Sequence, residues 1–312
     1  MKALFFLLTS LVSVQAFATE LPDYESKKIA AHTYVIHGPI EFPNEKNQGF
    51  MNNPGFVITN TGVVVIDPGS SLYVGRMVLR QIRKITDKPV THVLNTHIHG
   101  DHWLGNQAFD EAFPKAAIMA HPEMIKAAKN GGADHWMNLM RSMTNGATKD
   151  TKAVIPTKAV NDAIQFKTGG FTFSILAPGK AHSGTDIMIH AIEESVVFLG
   201  DNVVYQRMPG MQDATYRGNI NASEVAISTN AKHFVPGHGP TGKVELVKSF
   251  KQYLSIIYTQ AAVYYEEGLS DFEMKPKILK KLSDYKDWAF FDQEVGKHIS
   301  LAVLEAEKAA FE

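Results

Sequence analysis

The sequence contains no cysteine. That removes disulfides from its stabilising devices and thiolates from its nucleophiles and metal ligands, so imidazole and carboxylate remain for any metal site. It also lacks an excess of either charge. Thirty-one Lys and Arg stand against 32 Asp and Glu, for a formal net charge of -1. No basic surface argues for nucleic acid, and no acidic run reads as a tail. Internal repeats and low-complexity linkers are missing too. After the first eighteen residues no apolar run is long enough to suggest a membrane span. What is left is an ordinary globular composition, 45% hydrophobic and 20% charged over 312 residues. That suffices for one large domain, or a domain with an appendage.

Residues 1–18 stand apart. Lys2 opens an almost wholly apolar stretch over residues 3–14, and Ala16-Phe17-Ala18 supplies a small-residue cleavage signal. This predicts a signal peptide cut after Ala18 and a secreted or periplasmic mature chain without stable membrane insertion. An uncleaved anchor is the competing reading, and the short apolar stretch argues against it.

Two β-branched runs around Asn60-Thr61-Gly62 in residues 56–67 predict a hairpin. "SLYVGRMVLRQIRKIT" carries helical spacing, with Ser70 or Ser71 as N-cap. "PVTHVLNTH" and "AAIMAH" read as strands, with a short helix expected after Asp101 and a Gly-interrupted helical region over 122–144. "AIQFKTGGFTFSILAPG", "DIMIHAIE" and "SVVFLGD" are strand-like, "SEVAISTN" is helical, and "KHFVPGHG" is a strand running into a loop. From Lys243 the pattern is helical to the end. Strands separated by helices, with hairpins between, predict an α/β domain with mixed sheets over residues 19–242. A helical extension over 243–312 is expected to pack on it.

The chemistry gathers at the ends of apolar runs. "HIHGDH" packs His97, His99, Asp101 and His102 into six positions after a strand-like run, with Gly100 permitting a sharp turn. Two-residue spacing predicts that His97 and His99 leave one face together. Further on, His182 lies in "KAHSG", Asp201 ends "FLGD", and His238 sits in "PGHG". Each alone reads as a turn residue. Together they supply five His and two Asp, a set suited to two metal ions.

In this order the motifs resemble the metallo-β-lactamase-fold hydrolase superfamily, over roughly residues 30–240. The resemblance includes an upstream Asp67 in "VVVIDPG". It implies a four-layer αββα sandwich of two mixed β-sheets flanked by helices, with metals at one edge of the sheets. His97, His99 and His182 would then hold one metal, Asp101, His102 and His238 the second, and Asp201 would bridge both, as in the glyoxalase II-like branch. The zinc β-lactamases carry Cys or Ser at that bridging position, so the family name does not give the activity. Asp67 would orient a ligand from outside the coordination sphere; a helix cap or turn aspartate before Pro68 is the alternative.

Two divalent ions close together make a shared water acidic enough to be hydroxide near neutral pH, so a hydrolase of a small ester, thioester, lactone or lactam-type substrate is expected. Asp101 would orient that nucleophile and relay its proton. Two Zn2+ per chain are the expected cofactors, and iron or manganese suits the same ligands. A mononuclear iron, persulfide dioxygenase-like oxidoreductase and a β-lactamase are the alternatives. A non-catalytic binding protein is a third, since fold alone does not give function.

Residues 132–140 and 202–219 read as substrate-facing loops, and Tyr205, Arg207 and Tyr216 as contacts for an anionic substrate. Trp103 reads either as cavity lining or as packing beneath the turn. His32, His37, His92, His121, His135, His190, His233 and His298 read as structural or surface residues. The terminal helices mix both charges on their polar faces, which suits a cover for the core better than a membrane contact. A small-molecule substrate is the expected partner and nucleic acid is not, while the sequence does not specify an oligomeric state.

Overall fold

The computed structural model describes residues 20–311, and the expected signal peptide lies outside the described residues. Within them the chain forms two sheets. The first runs in spatial order β1 (Ser26–Lys28), β2 (Thr33–Ile36), β3 (Gly55–Ile58), β4 (Val63–Ile66), β5 (Val90–Leu94), β6 (Ala117–Ala120) and β7 (Lys158–Ala159). β1 to β4 pair antiparallel and β4 to β7 parallel. The second sheet runs β12 (His233–Val235), β11 (Val196–Phe198), β10 (Met188–Ala191), β9 (Phe171–Leu176) and β8 (Gln165–Thr168), antiparallel except for the β11–β12 pair.

The β-branched run of β4 shows how the layers form. Alternate side chains leave opposite faces of a strand. Val63 and Val65 therefore pack outward against α1 (Leu72–Arg83) and α3 (Asn106–Ala112), while Val64 and Ile66 face inward. The inward set meets Phe173, Ile175, Ile189 and Phe198 of the second sheet in a dry inter-sheet core. The hairpin joining β3 to β4 turns where expected, with Thr59 N–H and Oγ1 both donating to the Gly62 carbonyl. Ser71 caps α1 by accepting from Val74 N–H at 3.3 Å. An amphipathic stripe from Leu72 to Ile82 then buries one side of that helix.

The outer face of the second sheet buries Met188, Val197 and Phe234 under α6 (Tyr216–Ser228), α7 (Val244–Glu266), α8 (Asp271–Leu279) and α9 (Phe291–Ala310). The result is the expected αββα sandwich. The boundary expected at 242/243 falls one residue before α7, and the segment beyond it shares a continuous core with the second sheet. No helix of the described residues is long and apolar enough to cross a membrane.

His298 on α9 is a buried polar junction in this layer. Tyr253 on α7 meets its Nδ1 at 2.7 Å, and its Nε2 meets the Pro209 carbonyl at 3.1 Å. Burial pushes this imidazole down from 6.5 to about 4. Its contribution to stability should be complete above pH 6.5, where folded and unfolded chains are both neutral. Between pH 6.5 and 4 only the unfolded chain takes up the proton, so stability should fall by about 3 kcal/mol across that window. Urea unfolding of the metal-free protein at pH 7.5 and 4.5 checks this: the loss should be distinctly smaller in His298→Gln, and an equal loss in both proteins contradicts it.

Candidate metal centre

Strand β5 ends at Leu94, and the next eight residues turn back over the end of the first sheet. Asp67, directly after β4, shapes that turn. Its φ of 50° is a left-handed conformation that Asp tolerates better than most residues. Its buried carboxylate accepts from Thr96 N–H at 2.8 Å and from Thr96 Oγ1 at 2.7 Å, and meets His102 Nδ1 at 2.8 Å. Ser71 takes the helix cap instead, so Asp67 supports the turn and a metal-facing imidazole.

His97 and His99 lie past the strand end, so the turn rather than strand alternation brings their rings to 4.7 Å. His99 precedes α2 (Gly100–Trp103), which carries Asp101 and His102. Trp103 points beneath the turn, donating to the Ile98 carbonyl at 2.7 Å, and is fully buried. His182 comes from a loop held by Asp186, which accepts from Ser183 N–H and Oγ, each at 2.7 Å. Thr185 ties that loop to the histidine turn by accepting from Ile98 N–H.

Asp201 follows β11 in a single turn, Gly200–Asn202, and His238 follows β12. Gly237 has no side chain because a Cβ there would overlap Asp201 Oδ1. Asn53 fixes the same loop by donating to the carbonyls of Pro236 and Gly239. The seven residues therefore come from four sheet-end segments, converging at one edge of the sandwich. They form two donor groups, His97/His99/His182/Asp201 and Asp101/His102/His238, in each of which the donor atoms lie within 4.8 Å of one another.

Asp201 faces both groups. Its Oδ2 lies 3.5 Å from His182 Nε2 and 3.2 Å from His238 Nε2, and its Oδ1 lies 3.2 Å from His102 Nε2. Asp101 Oδ2 lies 3.2 Å from His238 Nε2 and 3.4 Å from His102 Nε2. Tetrahedral coordination at about 2.0–2.2 Å separates neighbouring ligand atoms by roughly 3.3 Å, so these spacings suit edges of a coordination polyhedron. Buried His97 Nε2, His102 Nε2, Asp101 Oδ2 and Asp201 Oδ1 form no well-directed hydrogen bond. Four such atoms pointing at one another are costly without a cation, and the donor set fits one.

The outward nitrogens are held in turn. His97 Nδ1 meets Thr96 Oγ1 at 3.0 Å, and His238 Nδ1 donates to the Met51 carbonyl at 2.7 Å. Asp213 lies 3.2 Å from His99 Nε2, leaving His99 Nδ1 to face His182 Nε2 at 2.9 Å. Burial drives His182 down to about 3, helped by neighbouring His99 and His102, and lowers His97 well below 6.5 for the same reasons. Burial also opposes charge on His102 and His238, but the carboxylates of Asp101 and Asp201 outweigh it and raise both. Reciprocally, burial works against ionised Asp101 and Asp201, and the imidazoles of His102 and His238 hold both well below the usual carboxylate range.

Asp213 was not legible in the sequence as part of the site, because only the fold brings residue 213 to residue 99. Carboxylates behind metal-facing imidazoles fix their tautomer, and losing one typically costs about 10–100-fold in metal affinity. Asp213→Asn should therefore weaken metal binding at the His97/His99/His182 group by about tenfold, the low end because Asp213 is exposed. A competitive titration against a chromophoric chelator measures this, and unchanged affinity contradicts it.

The two groups open into a cavity of ≈ 470 Å³. His99, Asp101, His182, Asp201 and His238 line its base. Of the three substrate contacts expected from sequence, Arg207 lines this cavity. Tyr205 and Tyr216 do not. Tyr205 packs edge-on against Trp288 and lines a separate cavity with Asp284 and Asp287. Tyr216 opens α6, which starts earlier than the pattern suggested, capped by Thr215. Its hydroxyl donates to the His298 carbonyl inside the core.

Residues 132–140 belong to α5 (Ala133–Met143) and the turn before it rather than to a loop, and α5 presents Trp136, Leu139 and Met140 to the cavity. The Trp136 ring lies 4.6 Å from that of His99. His135, read as structural or surface, also borders the cavity. Phe290 and Glu294 reach the wall from the C-terminal segment, which amphipathic patterning identifies only as a cover.

The sequence profile of the metallo-beta-lactamase superfamily matches residues 48–239. A probable metallo-hydrolase of Streptococcus pyogenes is 26% identical over 200 residues, covering 61% of this chain and 79% of that protein. A linear primary-alkylsulfatase of a Pseudomonas strain is 44% identical over 48 residues, 15% of this chain and only 9% of that enzyme. Among solved structures, a metallo-beta-lactamase from Pontibacter korlensis superposes with a TM-score of 0.59 at 19% identity, covering 73% of this chain and 98% of that one. At that identity the likeness concerns the fold.

Proposed function

The chain belongs to the metallo-beta-lactamase superfamily, and from that membership we propose that it is a dinuclear zinc-dependent hydrolase of a small ester, thioester, lactone or lactam-type substrate. The observation that carries the reading is the pair of donor groups joined through Asp201 at the base of one cavity. His97, His99 and His182 would hold one ion, Asp101, His102 and His238 the other, and Asp201 both. Metal ions bound there would supply an acidified water and a Lewis acid for the substrate oxygen.

The protein's own groups do the rest. Asp101 has a carboxylate oxygen without a directed hydrogen bond, aimed into the site, and is the group to orient the attacking water by accepting its hydrogen bond. Asp67, Asp213 and the Met51 carbonyl hold imidazoles in the tautomer that leaves one nitrogen facing inward. Trp136, Met140 and Phe290 line the cavity and limit water around the reacting bond. The complete Asp101/His102/His238 group favours two metals over a one-iron dioxygenase, whose chemistry needs only the first group.

The test is the metal content of mature protein purified from an exported fraction without chelator, followed by a turnover screen. Close to two zinc ions per chain, with hydrolysis of an ester, thioester, lactone or lactam, supports the proposal. The alkylsulfatase relative adds sulfate esters to that screen. One iron per chain with substrate-dependent oxygen uptake overturns it.

A further inference from the structure

Arg207 is a buried cation with no direct ion pair: the carboxylates of Asp201 and Asp101 act on it through space, but burial outweighs them. Its residue is only 7% exposed, yet it borders the cavity that opens on the metal-facing groups. Its Nη1 lies 3.3 Å from His238 Nδ1. That nitrogen already donates to the Met51 carbonyl at 2.7 Å, so it offers the guanidinium no lone pair. No carboxylate among the described residues lies in ion-pair contact with Arg207. The acids bordering the same cavity are otherwise engaged. Asp213 meets His99, Glu294 meets Lys297 at 2.9 Å, and Asp101 and Asp201 face the imidazoles. The distant carboxylates only partly offset the desolvation of a guanidinium that touches no acceptor, and an oxyanion bound directly to it removes the remaining cost.

The backbone that places Arg207 is itself unusual. Gln206 has φ of 59° and Phe290 has φ of 68°, left-handed values that non-glycine residues seldom adopt. Between these two points the chains join. Ala289 N–H donates to the Gln206 carbonyl and Met208 N–H to the Ala289 carbonyl, each at 3.0 Å. This short ladder sets the guanidinium over the Phe290 ring at 5.4 Å, and Phe290 in turn packs on Phe42 at 4.1 Å. From there the wall is apolar. Met140 and Trp136 line it, and Phe42 and Met143, 48% and 41% exposed, stand at the rim.

We propose that this cavity selects anionic amphiphiles, with an oxyanion held by Arg207 beside the metal-facing groups and an apolar chain or ring lying between Phe42, Trp136, Met143 and Phe290. The proposal names the substrate class for the hydrolase reading and rests on it. The binding part, however, is measured without turnover. Straight-chain alkanesulfonates are the probes, because sulfonate oxygens are poor metal ligands and report on the guanidinium. Calorimetric titrations of zinc-loaded protein would use 1-butanesulfonate, 1-octanesulfonate and neutral 1-octanol.

Octanesulfonate should bind, and each methylene between the two sulfonates should tighten binding by about fourfold while the chain still fits. Arg207→Gln should weaken octanesulfonate by tenfold or more and leave octanol unchanged. Phe290→Ala should flatten the dependence on chain length. Arg207→Lys, which keeps the charge but not the fork, should fall between. It also serves if the glutamine variant does not fold, with near-ultraviolet circular dichroism and zinc content reporting the fold. Equal binding by wild type and Arg207→Gln, or equal binding of the two sulfonates, overturns the proposal. So does sulfonate binding that survives Arg207→Gln but disappears on chelation, which would place the anion on the metals. Absence of turnover in every substrate screen would remove the hydrolase reading and leave these binding results standing.

Discussion

Asp201→Asn is expected to lower turnover by about a thousandfold or more and to bring the zinc content of purified protein towards one per chain. A thousandfold corresponds to about 4 kcal/mol of transition-state stabilisation, within the several kcal/mol attributed to metal-ion catalysis. The size follows from what this carboxylate touches. Its two oxygens reach His102 on one side and His182 and His238 on the other, so this member of the first donor group also contacts the second. Asparagine has nearly the same shape and fits the space that Gly237 leaves. It removes the negative charge and replaces one acceptor by a donor, which would then oppose metal-facing nitrogens. Circular dichroism should show a native fold, separating lost chemistry from lost structure. A variant that binds two zinc ions and retains a tenth of wild-type activity contradicts the assignment.

The contrast between Asp201 and Asp213 shows what a sequence can disclose about such a centre. Asp201, His182 and His238 each end an apolar run beside a glycine, so local pattern marks them, and their order beside "HIHGDH" joins them into one set. Asp213 carries no such local mark: it stands in an irregular stretch, and only the path of the chain after β11 takes it to His99. Phe290 is invisible for the same reason, arriving from beyond α8 through a ladder of two hydrogen bonds.

The misplaced tyrosines have a physical cause. Residues 202–219 look like one glycine-rich loop, but the Thr215 side chain accepts from Gly218 N–H and starts α6 at Tyr216. Helical periodicity then turns that ring into the core rather than toward the metals. The layers were more readable, since β-branched alternation in β4 and the amphipathic pattern of α1 each specify a buried side. Which helices would cover which sheet was not, because an apolar stripe names no partner.

Removing the metals is expected to lower the unfolding midpoint of the wild-type protein by about 15 °C or more. A ligand that binds only the folded chain stabilises it by mass action, and free zinc at a thousand times its dissociation constant contributes about 4 kcal/mol per site. For a chain near this size each kcal/mol moves the midpoint by roughly 2–4 °C, so two sites account for the estimate. The structure gives a reason for affinity of that order. His97 and His182 are held neutral by burial, ready to donate a lone pair, while Asp101 and Asp201 stay ionised beside them. Without a cation, His97 Nε2, His102 Nε2, Asp101 Oδ2 and Asp201 Oδ1 stay buried without a directed hydrogen bond, which leaves this edge of the sandwich incompletely compensated. Calorimetric scans of chelated protein with zinc added stepwise should show the midpoint rising in proportion to occupancy. In Asp201→Asn the rise should be about half as large, since one donor group loses its shared carboxylate. A midpoint that moves by less than 3 °C at saturating zinc would mean that these seven residues are satisfied without metal, and the dinuclear reading would fall with it.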